Sequence, residues 1–180
     1  MRELALHLLK SLADRPESVT VTEEVDGDVL VLVARAADDD KGKVIGKGGK
    51  SVQDFWAESP RAYLGTCMPG FPNLFIVTGP NTGIGHTSAI FVIEAQMEYI
   101  RRAIQAVLGK RAKAIEITPQ AEADYTAMIH REMKQTVWHW GGCNSWYKSK
   151  SGHVIAMFPG FSFTFRRLAQ AFKPAHHTIA

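Results

Sequence analysis

The stretch LFIVTGPNTGIGHTS, residues 74–88, decides how the middle of this chain is interpreted. Its first five residues predict a short buried strand, and a loop rich in Gly, Pro and Asn follows them. Apolar side chains then recur at helical spacing over residues 88–108. Thr87 or Ser88 suits the N-cap of this helix, and Gly109 ends it. The expected buried face of the helix consists of Ile90, Ile93, Met97, Ile100, Ile104 and Val107.

The loop of this stretch is a candidate ligand-binding element. Its glycines let backbone amides approach a planar or anionic ligand, and the N-terminus of the following helix favours negative charge there. His86 is the only side chain of the loop suited to acid–base chemistry. A plain strand-to-helix turn explains the same pattern, with Asn81 organising the turn and His86 as a loop or capping residue. The residues alone leave both interpretations open.

Two further elements follow the long helix. Residues 114–118 predict a strand, and Pro119 begins a second helix whose apolar side chains share one face. That face consists of Ala121, Tyr125, Met128, Ile129 and Met133. Residues 136–165 are aromatic and rich in glycine, and we expect an irregular segment there.

The first fifty residues have a different organisation. They predict a helix, two strands joined by a hairpin turn, a short helix and a Gly-rich loop, in that order. The first helix, the two strands and the loop cover residues 2–13, 18–25, 29–34 and 44–52, with the turn at Asp26-Gly27-Asp28, and the acidic residues 37–41 are a loop or the start of the short helix. A helix is expected to continue over residues 50–58. The loop sequence, VIGKGGKSV, suits contact with a phosphodiester backbone, although many simple turns share its four-residue GxxG pattern.

In this order of elements, and in VIGKGGKSV, residues 1–52 resemble a type II KH domain of the small bacterial KH-domain RNA-binding proteins. The resemblance implies that the GxxG loop clamps single-stranded RNA. The implied RNA-binding residues are Lys43, Ile45, Gly46, Lys47, Gly48, Gly49 and Lys50. The strand that closes the family's three-stranded sheet is not recognisable after Val52, so the KH segment is interpreted as truncated. Residues 112–118 are a candidate for the missing strand.

Four strings in the rest of the chain are DFWAESPRAYLG, MPGFPNLFIVTGPNTGIGHTSAIFVIEAQMEYI, TVWHWGGCNSWY and FPGFSFTFRR. Through them, residues 53–174 resemble the C-terminal region of class B flavin monooxygenases of the Baeyer–Villiger type. The resemblance implies FAD and NADPH as cofactors, and residues 136–147 as a lid or support beside the flavin. The implied cofactor-binding residues are Gly79, Pro80, Asn81, Thr82, Gly83 and His86. The catalytic residues stay unknown.

The nucleotide-binding motifs of that family are absent from this sequence. No GxGxxG follows a strand to bind the FAD pyrophosphate, and no second one serves NADPH. The GKGG of residues 46–49 does not have the spacing of a dinucleotide-binding turn. We therefore expect that the chain holds neither cofactor tightly and is catalytically incomplete alone.

Composition sets broad limits on function. The 180 residues carry a net charge of +3, and 46% are hydrophobic, as in ordinary globular proteins. Residues 1–50 contain 8 basic and 10 acidic side chains, against 13 and 8 in residues 51–180, so neither part binds nucleic acid through charge alone. Two cysteines without metal-ligand spacing indicate neither a disulfide framework nor a metal site. No apolar run is long enough to span a membrane, and we expect a cytoplasmic protein.

Aromatic side chains crowd the C-terminal segment. They are Trp138, Trp140, Trp146, Tyr147, Phe158, Phe161, Phe163 and Phe165. We expect them to pack on the rest of a flavin enzyme, and to favour self-association where that surface is missing. Together with neighbouring lysines and arginines they also match, less well, a platform for single-stranded nucleic acid.

These observations predict an α+β chain in two parts. Residues 1–52 form a truncated KH-like segment, and residues 53–180 form the strand, loop and long helix of an FAD-binding domain with an irregular aromatic C-terminal segment. The predicted function is that of a flavin-dependent Baeyer–Villiger-type monooxygenase, incomplete on its own. The first alternative is a KH-type protein that binds single-stranded RNA, and the second is an inactive hybrid.

Overall fold

A computed structural model describes residues 3, 6, 10, 16–26, 29–35, 46–85, 88–140 and 145–180. Most of the predicted helix over residues 2–13 lies outside the described residues, as do Gly27 and Asp28 of the predicted turn. Two compact units cover residues 1–44 and 45–180. Helices and two small antiparallel sheets make up the described regular structure, which agrees with the predicted α+β class.

The first unit contains a β-hairpin. Strands β1 (Thr20–Asp26) and β2 (Val29–Arg35) are antiparallel, with Thr20 opposite Arg35 and Asp26 opposite Val29. Both strands are rich in valine, a β-branched residue that favours extended backbone. The two strands predicted in this part of the sequence are therefore confirmed.

The second unit contains helices and one small sheet. Its elements are α1 (Val52–Phe55), α2 (Ala89–Gly109), β3 (Ile115–Ile117), α3 (Pro119–Met133), α4 (Val137–Trp140), α5 (Ser162–Gln170) and β4 (His177–Ile179). The first long helix begins at one of its two predicted caps, since the Ser88 hydroxyl accepts from the Ile90 amide at 3.2 Å. The second begins at Pro119 as predicted, and the Thr118 hydroxyl caps it by accepting from the Ala121 amide at 3.3 Å. Pro119 occupies the first turn of α3, where its missing amide costs nothing.

The main core lies where α2 packs along α5 and beside α3. Its buried residues are Tyr63, Leu64, Cys67, Val92, Ala95, Tyr99, Ile100, Ile117, Ala121, Tyr125, Ile129, Phe158, Phe165 and Ala169. The predicted apolar face of α3 is confirmed, because Ala121, Tyr125, Ile129 and Met133 are buried. A second cluster of Phe55, Ala62, Met68 and Phe71 holds α1 against the chain that follows it.

The predicted buried face of α2 is wrong. Of its six residues only Ile100 is buried, while Ile90, Met97 and Ile104 are exposed. The helix instead packs through the neighbouring face of Val92, Ala95, Gln96, Tyr99, Ile100 and Ala103. The alanines on that face let other segments approach the helix axis closely, which larger side chains would prevent.

The strand predicted over residues 74–78 is also wrong. Left-handed backbone at Asn73 (φ 61°) and Thr78 (φ 56°) turns the chain at both ends of this segment. The Ile76 amide donates to the Thr66 carbonyl at 2.8 Å, and no strand ladder includes residues 74–78 in the described structure. The segment is an extended connection that runs beside a turn rather than a sheet strand.

Three other expectations need correction. The candidate third strand of the KH sheet contains β3, which pairs with β4, Ile115 lying opposite Ile179. The helix expected over residues 50–58 is only the four-residue α1, because Trp56 leaves helical geometry and its indole donates to the Arg61 carbonyl at 2.8 Å. The segment expected to be irregular contains α4 and the start of α5.

Candidate functional site

A cavity of about 650 Å³ opens beside the N-terminus of α2. Side chains and backbone from four separate segments line it. They are Trp56, Pro60, Ile76, Thr78, Gly79, Pro80, Thr82, Gly83, Ile84, Ser88, Ala89, Val92, Trp146, Ile155, Ala156 and Met157. Most of these side chains are apolar, two are tryptophans, and the volume suits a planar ring system.

The loop of residues 79–83 is fixed to the wall of this cavity by backbone hydrogen bonds. The Asn81 amide donates to Ile155 at 2.7 Å, and the Gly83 amide donates to Ala156 at 2.8 Å. The Asn81 side chain lies behind the loop, where its amide group donates to the carbonyls of Val154 at 2.8 Å and Met157 at 2.9 Å. Asn81 has left-handed backbone (φ 55°), which asparagine tolerates better than most residues. The loop is therefore held rigidly in place.

The backbone at Gly65 crosses close to the loop of residues 79–83 and supports it. A Cβ atom added to Gly65, which has φ 60°, would collide with the Thr82 methyl group and lie 2.8 Å from the Pro80 carbonyl. A Cβ atom added to Gly79 would collide with the Gly65 carbonyl. Only glycine at these two positions allows the loop to lie this close to the turn beneath it.

The Gln96 side chain joins α2 by hydrogen bonds to both of these backbone segments. Its side chain is fully buried, and its carbonyl oxygen accepts from the Thr78 amide at 2.9 Å. Its NH₂ group lies within donating distance of the Leu64 carbonyl (3.1 Å), the Gly65 carbonyl (3.2 Å) and the Thr66 hydroxyl (2.8 Å). This one side chain therefore satisfies polar groups on both sides of the crossing and orients the helix toward the cavity.

The chemistry that this cavity offers is that of a binding site. Its described lining contains no Asp, Glu, His, Lys, Arg or Cys. Polar groups come from backbone, from hydroxyls such as Thr82 and Ser88, and from the N-terminus of α2, whose dipole favours negative charge in the cavity. The described residues can therefore hold and orient a planar ligand.

Most of the predicted cofactor-binding residues come together in this cavity. Gly79, Pro80, Thr82 and Gly83 line it, Asn81 supports them from behind, and His86 lies outside the described residues. The sequence did not predict the contributions of Trp56 and the segment 155–157, whereas Trp146 lies within residues 136–147, which the family resemblance implied as a lid or support beside the flavin. Both tryptophans lie inside strings that carry the family resemblance, and this is the only signal that pointed to them.

The GKGG loop lies in the second unit and is held by it. The Lys47 amide donates to the Gly70 carbonyl at 2.7 Å, and the Gly46 amide donates to the Lys50 carbonyl at 2.9 Å. The Lys47 ammonium forms an ion pair with Glu116 at 2.5 Å. Gly48 and Gly49 face open space, while Lys43 and Ile45 lie outside the described residues. Part of the predicted RNA-binding loop is thus already bonded to protein.

A buried group of titratable residues packs behind the long helix. The Tyr99 hydroxyl lies 2.5 Å from His177 Nε2, and His177 Nδ1 lies 2.8 Å from the Lys173 carbonyl. Burial raises the pKa of the Cys67 thiol to about 12 and lowers the pKa of His177. These groups are neutral near pH 7 and do not line the cavity, so they stabilise the core rather than serve the site.

The C-terminal aromatic residues divide into two sets. Phe158 and Phe165 are buried, whereas Trp140, Trp146, Phe161 and Phe163 are more than half exposed. Trp138 and Tyr147 are partly buried.

Within the described ranges no group of three or more His, Cys, Asp or Glu could hold a metal ion. None of the helices in the described part of the chain is long and apolar enough to cross a membrane.

Two kinds of known protein match this chain. The family described as KhpA/KhpB, KH domain, matches residues 2–53. This match supports a KH segment at the N-terminus, and it covers the GxxG loop.

The larger part matches monooxygenases. The chain is 38% identical over 133 residues to a Baeyer–Villiger monooxygenase of Pseudomonas aeruginosa, covering 73% of this chain and 25% of the relative. It is 35% identical over 121 residues to the FAD-binding monooxygenase ktnD of Aspergillus niger, covering 65% of this chain and 20% of the relative. An oxidized steroid monooxygenase bound to NADP superposes with a TM-score of 0.64 at 25% identity, over 93% of this chain and 35% of that structure.

The larger part of the chain is related to Baeyer–Villiger-type flavin monooxygenases. The chain spans about a quarter of the length of these curated relatives. The Baeyer–Villiger relative is therefore about four times as long as the region that aligns with this chain.

Proposed function

We propose that residues 53–180 form the flavin-facing C-terminal segment of a Baeyer–Villiger-type monooxygenase. The observation that carries this proposal is the apolar cavity between the Gly79–Gly83 loop, the N-terminus of α2 and two tryptophans. When bound, a flavin supplies the redox chemistry that oxygenates a ketone. The residues of this chain hold the ring, shield it from water and place the positive end of α2 beside it.

The same cavity does not account for binding of a whole dinucleotide. Its described lining offers no basic side chain for a pyrophosphate, and the sequence contains no GxGxxG after a strand. We therefore propose that the chain binds a flavin ring weakly, gains little from the adenosine diphosphate part of FAD, and does not turn over alone.

Trp146 provides a direct test of the cavity. The Trp146→Ala variant is expected to bind riboflavin about three- to tenfold more weakly than the unmodified chain, because an aromatic ring contact is lost. The side chain is 83% exposed, so its removal should leave the fold intact. Fluorescence titration of riboflavin with protein measures the change.

Trp140→Ala is the matched control for this experiment. Trp140 is 76% exposed and does not line the cavity, so this variant should bind riboflavin as the unmodified chain does. The proposal fails if the unmodified chain does not bind riboflavin, or if the two variants lose affinity equally.

RNA binding through the KH segment is the second candidate function, and the family match over residues 2–53 favours it. Gly48 and Gly49 are open to solvent and their loop carries Lys47 and Lys50. Because Lys47 is paired with Glu116, RNA has to replace that carboxylate before it can use the Lys47 charge. We expect weak, salt-dependent binding of single-stranded RNA.

Gly48→Asp is expected to weaken RNA binding at least about tenfold, because a carboxylate then lies where a phosphate must come. Gly152→Asp is its control: both glycines have left-handed backbone and an open Cβ position, but Gly152 is remote in sequence from the GxxG loop. Fluorescence anisotropy with a short single-stranded RNA at low salt measures binding. Equal affinities for both variants and the unmodified chain would rule out this function for the loop.

A further inference from the structure

The outward face of α2 is apolar along most of its length. Ile90, Met97, Ile104 and Leu108 are 65%, 51%, 47% and 69% exposed. Because seven residues make nearly two helical turns, the first three lie in one row, and Leu108 extends the row by one turn. The row is about 27 Å long at 1.5 Å per residue. Exposed apolar rows of this kind mark interaction surfaces.

Two charged side chains flank this row in a complementary arrangement. Glu94 is exposed and forms no hydrogen bond or ion pair with another described residue. Arg101, seven residues later on the same side, is 53% exposed and bonds Glu98 at 2.7 Å. Glu98 is also bonded by Arg102 at 2.7 Å, so it keeps a partner if Arg101 turns to another carboxylate.

These positions are self-complementary when two helices run antiparallel. With Met97 on the two-fold axis, Ile90 of each copy lies at the level of Ile104 of the other. Glu94 then lies within one residue, about 1.5 Å along the axis, of the level of Arg101 of the other copy. One contact thus contains an apolar centre and two equivalent ion pairs. A parallel pairing would instead place Glu94 at the level of Glu94 and Arg101 at the level of Arg101.

We propose that a second copy of this chain docks on this face of α2, forming a two-fold symmetric antiparallel helix pair. An isologous contact requires that one patch complement itself, and this patch does so in both apolar spacing and charge. A contact made by one helix per chain is small, so the dimer is expected to dissociate on dilution. The exposed aromatic residues of the C-terminal segment are not part of this contact.

Charge exchange between two variants tests this arrangement. Analytical ultracentrifugation of the full chain under reducing conditions should show a reversible monomer–dimer equilibrium. Glu94→Arg and Arg101→Glu, each alone, place like charges together twice per dimer and should weaken dimerisation at least about tenfold. An equimolar mixture of the two variants should recover the dimer, because each Arg then meets a Glu in the heterodimer.

The variant Phe161→Ser/Phe163→Ser serves as the control, since it removes exposed apolar surface elsewhere and should dimerise as the unmodified chain does. A chain that stays monomeric at all accessible concentrations would overturn the proposal. So would charge variants that dimerise normally, a mixture that fails to recover the dimer, or loss of association only in the phenylalanine variant. Circular dichroism of each variant confirms that α2 is still folded.

Discussion

Replacing Phe165 by alanine is expected to lower the free energy of unfolding of the second unit by about 3–5 kcal/mol. Phe165 is fully buried between α5 and α2, and its ring meets that of Phe158 edge-to-face with 5.2 Å between centroids. Removal of the ring leaves a cavity that neighbouring backbone cannot fill. Urea denaturation followed by circular dichroism measures the change.

Phe163→Ala is the matched control, because it removes the same ring from the same helix. Phe163 is 67% exposed, and its ring stacks on Phe161 at the surface. Its replacement should change the free energy of unfolding by less than about 0.5 kcal/mol. Equal denaturation midpoints for the two variants would show that α5 does not pack on α2 as described.

Gln96→Ala is expected to cost about 2–4 kcal/mol of the free energy of unfolding. The change leaves the Thr78 amide without its acceptor and the buried Gly65 carbonyl without a donor, while the Leu64 carbonyl keeps the Thr66 hydroxyl as a donor. Alanine favours helix, so the loss does not come from helix propensity. The same urea denaturation experiment measures it.

Gln105→Ala is the control on the same helix, because Gln105 is exposed. This variant should match or slightly exceed the unmodified chain in stability. A Gln96→Ala variant with unchanged stability would mean that the crossing below the Gly79–Gly83 loop is held by other contacts.

The sequence predicted the bounds of α2 well but assigned the wrong face to the core. Periodicity detects that apolar residues share a side of a helix, and it does not tell which side another segment covers. Here the buried side is formed by Ala95, Ala103 and the polar Gln96 beside Val92 and Tyr99. Sequence pattern does not identify alanines or a glutamine as buried residues, because their role depends on contacts with residues far away in the chain, such as Leu64 for Gln96.

The extended segment before the loop shows a second limit. Five consecutive apolar or β-branched residues predicted a strand over residues 74–78, but left-handed backbone at Asn73 and Thr78 prevents its continuation into a ladder. Asparagine gave a local hint at the first position, whereas a left-handed threonine is not predictable from sequence pattern. The Gly79–Gly83 part of the site was predicted because its glycines and asparagine are adjacent in the chain. The tryptophans opposite it come from distant segments.

When an isoleucine of α2 is replaced by alanine, the loss in free energy of unfolding should follow how deeply that isoleucine is buried. Ile100 is 9% exposed and Ile93 is half-buried, so neither belongs to the exposed row that starts at Ile90. The exposed row contributes little to the stability of a single chain, and its apolar character is better explained by a contact outside that chain.

Equilibrium binding of FAD and of riboflavin to the purified chain tests most directly whether this segment forms a flavin-ring site without a dinucleotide site. The ring is common to both ligands, and the adenosine diphosphate part of FAD finds no pyrophosphate-binding motif here. The two dissociation constants are therefore expected to agree within about threefold, a difference below about 0.7 kcal/mol. FAD binding about a hundredfold tighter than riboflavin, or no binding of riboflavin at all, would contradict this account.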